Sequence, residues 1–550
     1  MASWFWSLRK NPVDELEHQY QPLLVGGAVS AVPSSSAQRN EDGPDSETAY
    51  KATIEGSQPF ASSSVSGSST LHGAGLILKK PKRTWRSNLW DTLDKSPEER
   101  RFLFKLDTVV LTFASLGYFI KNLDQLNINN AYVSGMKDDL GLYGNQLNYA
   151  IASWTVGYVI GEVPSNLILT RVRPSIWIPA CEVTWSLLTA VTSRVTSAGQ
   201  LYALRFLIGL AESSFYPGMQ YVIGSWYRSD ELAKRSCIFH AAGAVGSMFS
   251  GYLMAGVHEH LGGADGGTLL GLRSWQWLFV ADTCISLPIA LAGFFLLPDV
   301  PEITRAWYFD AGEIAMAQRR IALEGRASRG AFSRAKFRRI FFDGWHIYAL
   351  TALYVCFNNG SGFGGQPAFQ LWLKSAGYGV SAINIYPTLT SVVQVVMTFA
   401  YAWTSDALLR GARWPPIVFA GCLNIVIYTS LAVWDIPVAW KWTCFLLTGC
   451  GAGISGLTYA WAHEICRGDN EERALVTGTM NEMAYVFQAW LPLLVWQQVD
   501  APYYRKGFVS NIVLSALLIV MAFLIRNLHQ KEKRQNKLTE DDDEQVQLVV

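Results

Sequence analysis

Long apolar runs alternate with short charged breaks from about residue 106 to residue 525, and this rhythm constrains the fold more than any other feature. The run 275–297, for example, contains a single charged residue. An apolar helix of about 20 residues spans the roughly 30 Å hydrocarbon core of a bilayer. The pattern recurs about twelve times, and lipid solvates such helices directly, whereas a soluble domain would have to bury them all. We therefore predict an all-α integral membrane protein with about twelve transmembrane helices.

The predicted helices form two groups of six, separated by a hydrophilic stretch at 298–344. The first group is predicted at 106–134, 146–170, 174–194, 200–226, 235–257 and 275–297. The second group is predicted at 345–373, 381–404, 414–434, 440–464, 472–498 and 508–526. The breaks at 169–175 and 406–416 are similar, since each is a short arginine-bearing turn that ends in proline. Two related halves are typical of a secondary transporter whose site lies between them near mid-membrane.

Lysine and arginine are unevenly distributed over the hydrophilic segments, and this sets the predicted orientation. They are concentrated near both ends of the chain and in 298–344, whereas the alternate breaks hold few. The positive-inside rule therefore places both termini and 298–344 in the cytoplasm. The N-terminal stretch is rich in Ser, Gly, Glu and Asp, a composition that predicts disorder. The predicted organisation is a disordered N-tail (1–78), a basic juxtamembrane segment (79–105), an N-terminal half (106–297), a central loop (298–344), a C-terminal half (345–526) and a C-tail (527–550).

Several classes of function are disfavoured by the composition. The net charge of +1 gives no reason to expect a nucleic-acid partner. The eight cysteines lie within or beside apolar runs and imply no disulfide framework. The chain has no G-x-x-x-x-G-K-S/T motif, so ATP-driven pumping is unsupported, and we expect no cofactor. His258-Glu259-His260 is only a weak metal pattern in a surface loop, so no metal site is predicted.

The fourth predicted helix carries two ionisable residues in an apolar context, Arg205 and Glu212. They are seven residues apart, so they lie on one face about 10 Å apart along the axis. Ionisable residues at membrane depth are costly and indicate function by default. The alternative is a structural ion pair that only fixes helix packing. Pro217 and Gly218 are predicted to loosen the same helix one turn later, which makes them gating candidates.

The outer part of the first predicted helix is strongly polar. Its polar residues are Lys121, Asp124, Gln125, Asn127, Asn129 and Asn130. Lys121 and Asp124 are three residues apart and can pair on one face. So polar a half-helix cannot face lipid, and it must line a wet cavity or pack against polar partners. Partial exposure of the helix end would account for Asn129 and Asn130 but not for Lys121.

These motifs resemble those of fungal members of the major facilitator superfamily. The resemblance covers about 100–525, and it is carried by KNLDQLNINNA (121–131), R-F-x-x-G-x-x-E-x-x-x-x-P-G in the fourth helix, GYLMAGV (251–257) and the block 274–308. The chain is similar in particular to the anion:cation symporters typified by allantoate permease, and within them to pantothenate transporters and their relatives. The resemblance implies the major facilitator fold, and it implies uptake of a small organic anion with protons.

The resemblance also implies roles for individual residues. Related vesicular glutamate and phosphate carriers have a basic residue in the first helix and an Arg/Glu pair in the fourth, which correspond here to Lys121, Arg205 and Glu212. We expect Lys121 and Arg205 to bind a carboxylate substrate, because paired cations stabilise an anion strongly in a low-dielectric cavity. We expect Glu212 to carry the coupled proton, because burial disfavours the charged form of a carboxyl and permits reversible protonation.

The chain departs from the family pattern at two places. The relatives have a basic residue in the seventh helix, whereas FNNGSGFGG at 357–365 has no charge. The anion must therefore be bound by different residues in this chain. The Gly-x-x-x-Asp-Arg-x-Gly-Arg-Arg type of loop is degraded. Arg171 and Arg173 replace it in the first half, and Asp406 and Arg410 keep part of it in the second. These four residues are further gating candidates.

The seventh predicted helix is interrupted by glycines at the segment 357–365. Discontinuous helices frame transporter sites and free backbone groups for the substrate, so Asn358 and Asn359 are substrate-binding candidates. A hinge that serves gating alone is the alternative. Gln394 is a further intramembrane polar position and a substrate-binding candidate. Besides Glu212, the candidate proton carriers are Asp124, Glu162 and Glu482.

The expected function is secondary active transport: proton-coupled uptake of a small organic anion, such as a pantothenate-like vitamin, by a monomer in the plasma membrane. One alternative is a proton-driven exporter of a fungal metabolite, because residues do not fix direction. A second is a nutrient receptor that binds without translocating, which would need a folded effector-binding domain that neither tail resembles. An integral-membrane enzyme would need clustered histidines or paired catalytic carboxylates at one membrane face, and neither is evident.

Overall fold

The computed structural model of the protein describes Thr92 and residues 95–169, 171–261, 270–322, 338–362, 365–409, 411–466 and 470–549. All of them belong to one compact unit, Trp85–Val550. The predicted N-tail at 1–78 lies outside the described residues, and so do Arg410 and the side chain of Asp406.

Twelve helical bodies run through the described residues and are numbered α1 to α12 in chain order. The first six are Pro97–Asp139 (α1), Gln146–Leu169 (α2), Pro174–Thr192 (α3), Ala198–Glu212 with Phe215–Trp226 (α4), Ser229–Leu261 (α5) and Ser274–Leu296 (α6). The others are His346–Gly360 with Ala368–Ser375 (α7), Val380–Trp403 (α8), Trp414–Val433 (α9), Val438–Leu447 with Gly449–Ala452 and Ser455–Ile465 (α10), Asn470–Val495 (α11) and Arg505–Val549 (α12).

The packing of these helices repeats between the two halves. In the first half α1 packs on α5, α2 on α4 and α3 on α6. In the second half α7 packs on α11, α8 on α10 and α9 on α12, which is the same arrangement shifted by six helices. The halves meet through α2 with α11 and through α5 with α8. The predicted fold, two related six-helix halves, is therefore confirmed.

The outward-facing surface of the bundle is apolar. Large side chains such as Val163, Phe295, Val396 and Val520 are more than half exposed, which suits contact with lipid. Within the described residues, six helices are individually long and apolar enough to cross a membrane. Others are interrupted, as α4, α7 and α10 are, or carry buried polar side chains that lower their hydropathy. The interior of the bundle is thus where the polar residues lie.

One end of the bundle is sealed by contacts between the halves. We name this the distal end: it is where α1 finishes and α2 begins. An apolar cluster there contains Tyr132 and Met136 of α1, Trp372 of α7, Ile383 of α8 and Trp496 near the end of α11. Because its members come from both halves, it holds the halves together at this end. The two other apolar clusters of the described residues are built within one half each.

Hydrogen bonds between the halves reinforce the distal closure, and we name this set the distal gate. Its members are Asn129 Nδ2 to Gly365 O (3.0 Å), Gln370 Nε2 to Asn130 Oδ1 (2.7 Å), Asn384 Nδ2 to Ser134 Oγ (3.0 Å), Lys374 Nζ to Val133 O (3.2 Å) and Asn148 Nδ2 to Trp496 O (2.8 Å). The polar end of α1 thus packs against α7 and α8, which explains why its asparagines tolerate burial.

The segment between the halves contributes a short helix, Ala311–Ala322, that docks on the first half. Arg320 of this helix donates from Nη2 to Glu231 Oε1 at 2.5 Å and from Nε to Glu99 Oε1 at 2.8 Å. Lys95 Nζ lies 3.1 Å from the same Glu231 carboxylate, which is fully buried. A buried carboxylate needs such partners, so this ion-pair network fixes the helix against α1 and α5.

Arg320→Met is expected to lower the stability of the purified protein, because it removes one of the cations that neutralise buried Glu231. Breaking a buried ion pair costs about 3 kcal/mol, and Lys95 will compensate part of it. The readout is the Tm of the detergent-solubilised protein together with its surface abundance. Arg319→Met is the matched control, since Arg319 is exposed on the same helix. Equal Tm values for the two variants would contradict a structural role for the network.

Candidate functional site

A set of buried ionisable residues lies in the interior of the first half, and we name it the central charge cluster. Its members are Lys121 and Asp124 of α1, Glu162 of α2, Arg205 and Glu212 of α4, and Asp282 of α6, each no more than 6% exposed. These positions come from four helices, so the packing of the half and not local sequence brings them together. Five of the six were predicted as site residues; Asp282 was not.

Lys121 faces α2 and α4. Its Nζ lies 3.4 Å from the Tyr158 hydroxyl and 4.5 Å from the centroid of that ring, which provides a cation–π contact. Its carboxylate neighbours are Glu212 and Glu162. The pairing with Asp124 that the spacing allows is therefore not formed among the described residues. Although the two share a helix, Asp124 is turned toward α3 and α6, where other partners receive it.

Arg205 lies between two carboxyls, those of Asp124 and Glu212. Its Nε has no hydrogen-bond partner among the described residues, and neither does either carboxyl oxygen of Glu212. Arg205 and Glu212 thus share a face of α4 as predicted, yet they are not joined by a hydrogen bond. A buried guanidinium with donor capacity to spare is suited to an anion from outside the protein.

The break in α4 follows from Pro217. The first segment of α4 ends at Glu212 and the second begins at Phe215, so the break lies before Pro217 and not after it. Proline has no N–H for the carbonyl four residues earlier, which interrupts the helix at Ser213. Gly218 is buried, and a Cβ there would lie 2.9 Å from Ile178 Cδ1, so the glycine permits close packing on α3. Whether these residues gate transport stays a prediction.

Asp124 meets a residue that the sequence analysis did not single out. Its Oδ2 accepts a hydrogen bond from Thr189 Oγ1 at 2.7 Å, and its carboxyl lies within hydrogen-bonding reach of Asp282. Asp282 Oδ2 in turn accepts from Asn127 Nδ2 at 2.7 Å. Asp282 is the single charge of the run 275–297, and that isolation is the signal that could have identified it.

Two predicted proton carriers meet across the interface between the halves. Glu162 of α2 accepts a hydrogen bond at Oε1 from Asn481 Nδ2 of α11 at 3.0 Å. The carboxyl of Glu482 lies within hydrogen-bonding reach of Glu162. Tyr485, one turn further along α11, packs against Tyr158 with the two rings tilted and their centroids 4.7 Å apart. This contact brings the second half to the edge of the central charge cluster.

The interruption of α7 is confirmed, since the helix stops at Gly360 and resumes at Ala368. The freed backbone of Gly362 is satisfied within the protein: its N–H donates to Tyr428 Oη at 2.8 Å, and its carbonyl accepts from Asn511 Nδ2 at 2.5 Å. Asn358 Nδ2 donates to Gln488 Oε1 at 3.2 Å, and Asn359 Nδ2 to Val355 O at 3.1 Å. These contacts tie α7 to α9, α11 and α12, and whether the interruption binds substrate or serves gating alone stays a prediction.

Gln394 lies in a cavity of about 310 Å³ behind the distal gate, between α1, α5, α7, α8 and α10. Amides and hydroxyls dominate its polar lining, including Asn129, Gln366, Thr390 and Ser391. Gln366 is buried, and neither polar atom of its side chain has a partner among the described residues. The cavity therefore offers hydrogen bonds to a neutral polar group, whereas the central charge cluster offers charge.

The loop candidates lie at the surface. Arg171 and Arg173 are exposed in the short connection between α2 and α3.

His346, Cys466 and Glu472 form a group whose atoms lie close enough together to hold a metal ion. Both ring nitrogens of His346 already contact carboxylates, Glu472 Oε1 at 2.6 Å and Glu532 Oε2 at 3.1 Å. Since a metal needs a free ring nitrogen, this group is better described as an ionic link between α7, α11 and α12.

The charges of the central charge cluster do not balance. It contains two cations and four carboxyls, so full ionisation would leave a net negative charge in a buried region, which is costly. Bound protons must neutralise part of this negative charge, and the binding of an anion would require further neutralisation. The arrangement can therefore link the binding of an anion to the binding of protons.

Comparisons with known proteins agree with the fold. The family model of the Major Facilitator Superfamily matches residues 114–492. The pantothenate transporter liz1 of Schizosaccharomyces pombe is 33% identical over 444 residues, covering 80% of this chain and 85% of that protein. The pantothenate transporter FEN2 of Saccharomyces cerevisiae is 33% identical over 448 residues, which cover 80% of this chain and 86% of that protein. The structure of the proton:xylose symporter XylE superposes with a TM-score of 0.60 at 13% sequence identity, and the superposition covers 78% of this chain and 96% of XylE.

These findings confirm the resemblance inferred from the motifs of α1, α4 and α6. The matched region includes the central charge cluster and all members of the distal gate except Trp496, and transport, not enzymatic chemistry, is what this family performs. The chain is a multi-pass membrane protein and a secondary transporter, and it belongs to the major facilitator superfamily.

Proposed function

We propose that this protein takes up a small organic anion together with protons, and that the anion is pantothenate or a carboxylate of similar size. The observation that carries the proposal is the excess of carboxyls over cations in the central charge cluster. Two relatives that are one-third identical over most of both chains are named as pantothenate transporters. The substrate assignment rests on those names, and the coupling rests on the cluster.

In this proposal Arg205 and Lys121 bind the substrate carboxylate. Both are buried, and the guanidinium of Arg205 retains an unused donor at Nε. While Glu212 and Asp124 are ionised, they neutralise these cations and compete with the substrate. Protonation of Glu212 removes one competitor, so the cations attract the substrate carboxylate more strongly. Proton and anion therefore bind cooperatively, which is the requirement for symport.

The remainder of the substrate would extend toward the amide-lined cavity that contains Gln394. Asn129 of that cavity lies eight residues beyond Lys121 on α1, which is about 12 Å along the helix axis. A carboxylate with a polar, uncharged tail of that length would engage both sites. Amide and hydroxyl groups on the tail would satisfy Gln366, which has no partner in the described residues.

Uptake assays test this function directly. Cells that lack their own pantothenate carrier are transformed with the protein and given radiolabelled pantothenate, allantoate, nicotinate, biotin or ureidosuccinate. We expect pantothenate to accumulate above its external concentration, and a protonophore to abolish the accumulation. Arg205→Gln at equal surface abundance is the inactive control. Accumulation of a different member of the panel would reject the substrate assignment, and efflux from preloaded cells in place of uptake would favour the exporter.

Orientation is a separate proposal: both termini and residues 298–344 face the cytoplasm of a plasma-membrane protein. The distribution of Lys and Arg supports it. Epitope tags at positions 1, 330 and 550 are therefore expected to resist external protease in intact cells and to be cleaved after permeabilisation. A tag inserted at 265, between α5 and α6, is the matched control and should be cleaved without permeabilisation. External cleavage at 330 would overturn the proposed orientation.

A further inference from the structure

Asp124 and Asp282 form a buried pair of carboxyls, which we name the aspartate pair. The two residues are 2% and 0% exposed and lie within hydrogen-bonding reach of each other. One oxygen of each has a donor, Thr189 for Asp124 and Asn127 for Asp282. The Oδ1 atom of each has no partner in the described part of the chain. Two adjacent buried carboxyls cannot both ionise without a large penalty, and each of them has one oxygen without a partner that can hold a proton.

An unbroken chain of hydrogen bonds leads from the aspartate pair to the other half of the protein. Asn127, which donates to Asp282, accepts at Oδ1 from Ser250 Oγ at 2.7 Å. Ser250 accepts from Asn130 Nδ2 at 2.6 Å, and Asn130 Oδ1 accepts from Gln370 Nε2 at 2.7 Å. Every group donates toward Asp282. The chain therefore ends on α7, at a member of the distal gate.

The other groups around the aspartate pair set its electrostatic balance. Arg205 and Glu212 face it from α4, and Lys121 belongs to its own helix α1. The neighbouring helices α3 and α5 contribute Thr189 and Ser250, which carry no charge. Arg205 can compensate one negative charge of the pair, but a second would be left without a cation of its own.

We propose that Asp282 and Asp124 bind one proton between them and that this proton holds the distal gate closed through the chain from Asn127 to Gln370. When the proton leaves, the two carboxylates repel each other and require water, which enters only if α1 and α6 separate. That movement breaks the alignment of Asn127 with Asp282 and releases Gln370. This proton is distinct from the one assigned to Glu212, and the inference rests on the proton coupling proposed above.

Accessibility of the gate can be measured without any substrate, so a wrong substrate assignment would not affect the test. Ser391 lines the cavity behind the gate, and Ser391→Cys in the full-length protein serves as the reporter. Leu270→Cys, 82% exposed between α5 and α6, corrects for the pH dependence of the thiol reaction and is read in its own full-length chain. Both are labelled with a membrane-impermeant maleimide in right-side-out and inside-out membranes, so the result does not depend on orientation.

The corrected labelling of Ser391→Cys from the distal side is expected to rise about tenfold between roughly pH 5 and pH 8, because deprotonation of the aspartate pair opens the gate. In Asp282→Asn the amide donates permanently to Asp124, so labelling should stay low at both pH values. In Gln370→Leu the chain is cut at the gate, so labelling should stay high at both. Glu182→Gln is the matched control, because Glu182 is a buried carboxyl of α3 that is not part of the hydrogen-bond chain. Its labelling should change with pH as it does in the parent, which is the Ser391→Cys protein without a second substitution.

A parent protein whose labelling does not change with pH would overturn the inference. So would an Asp282→Asn variant that keeps the parent's pH profile at normal surface abundance. If the Asp282→Asn protein is not produced, the Gln370→Leu variant provides the test. A Gln370→Leu variant whose labelling has the parent's pH profile would show that the hydrogen-bond chain does not control the gate. Loss of pantothenate uptake with an unchanged labelling profile in the parent would reject the proposed substrate while leaving the gate proton supported.

Discussion

Glu212→Gln is expected to abolish accumulation of the substrate against its gradient while exchange of labelled for unlabelled substrate continues. The glutamine keeps the size of the side chain and removes its ability to gain or lose a proton. Lys121 and Arg205, the cations facing this position, would then be free of one competing carboxylate at every pH. Substrate binding should persist and lose the part of its pH dependence that comes from Glu212. The measurement compares concentrative uptake with exchange in the same vesicles.

Glu182→Gln provides the matched control for this experiment. Glu182 is also a buried glutamate of the first half, and neither of its carboxyl oxygens has a partner among the described residues. It is not a member of the central charge cluster, so we expect normal accumulation in this variant. If Glu212→Gln itself still accumulates substrate with a normal pH dependence, the coupled proton is carried elsewhere. Asp124 or the meeting carboxyls of Glu162 and Glu482 would then be the better assignment.

The helices could be predicted from the sequence because a helix in contact with lipid must be apolar over its whole length, which the hydropathy of that one segment shows. A run such as 275–297 is apolar at almost every position, so its length identifies a spanning helix. The prediction began α1 too late, at 106 instead of Pro97, and it ended α1 and α12 too early. Helical turns continue there without an apolar pattern; Ser96, for example, caps α1 by accepting from the Glu99 N–H at 3.3 Å. Polar helix extensions are fixed by caps and ion pairs that the hydropathy of the chain does not report.

The sequence singled out five residues of the central charge cluster but not the contacts between them. Periodicity shows which residues share a face of one helix, and it placed Arg205 and Glu212 correctly on one face of α4. It contains no information on which neighbouring helix receives each side chain. The spacing therefore allowed Lys121 to pair with Asp124, whereas Tyr158 of α2 receives it. The meeting of Asp124 with Asp282 depends on α1 packing against α6, which only the assembled half specifies.

Arg205→Lys is expected to weaken substrate binding by about 10–100-fold with little change in the coupling of protons to substrate. Arginine presents a planar fork that can bind both oxygens of a carboxylate, whereas lysine is a point charge. Loss of one charge-assisted hydrogen bond costs about 1.5–3 kcal/mol, which gives this range. The charge itself is retained, so the neighbours Asp124 and Glu212 remain compensated and the protein should fold. The measurement is the Kd for the substrate, with the pH dependence of uptake recorded beside it.

Arg273→Lys is the control for the chemistry of the substitution. Arg273 pairs with Asp139 at the distal surface and is 56% exposed in its side chain, so its replacement should leave the Kd unchanged. The phenotypes of the two cluster variants must differ in kind: Arg205→Lys changes affinity and keeps coupling, whereas Glu212→Gln keeps binding and loses coupling. An Arg205→Lys variant with wild-type affinity would show that the guanidinium only balances the buried carboxyls. Lys121 would then be the residue that holds the anion, because it is the other cation of the cluster.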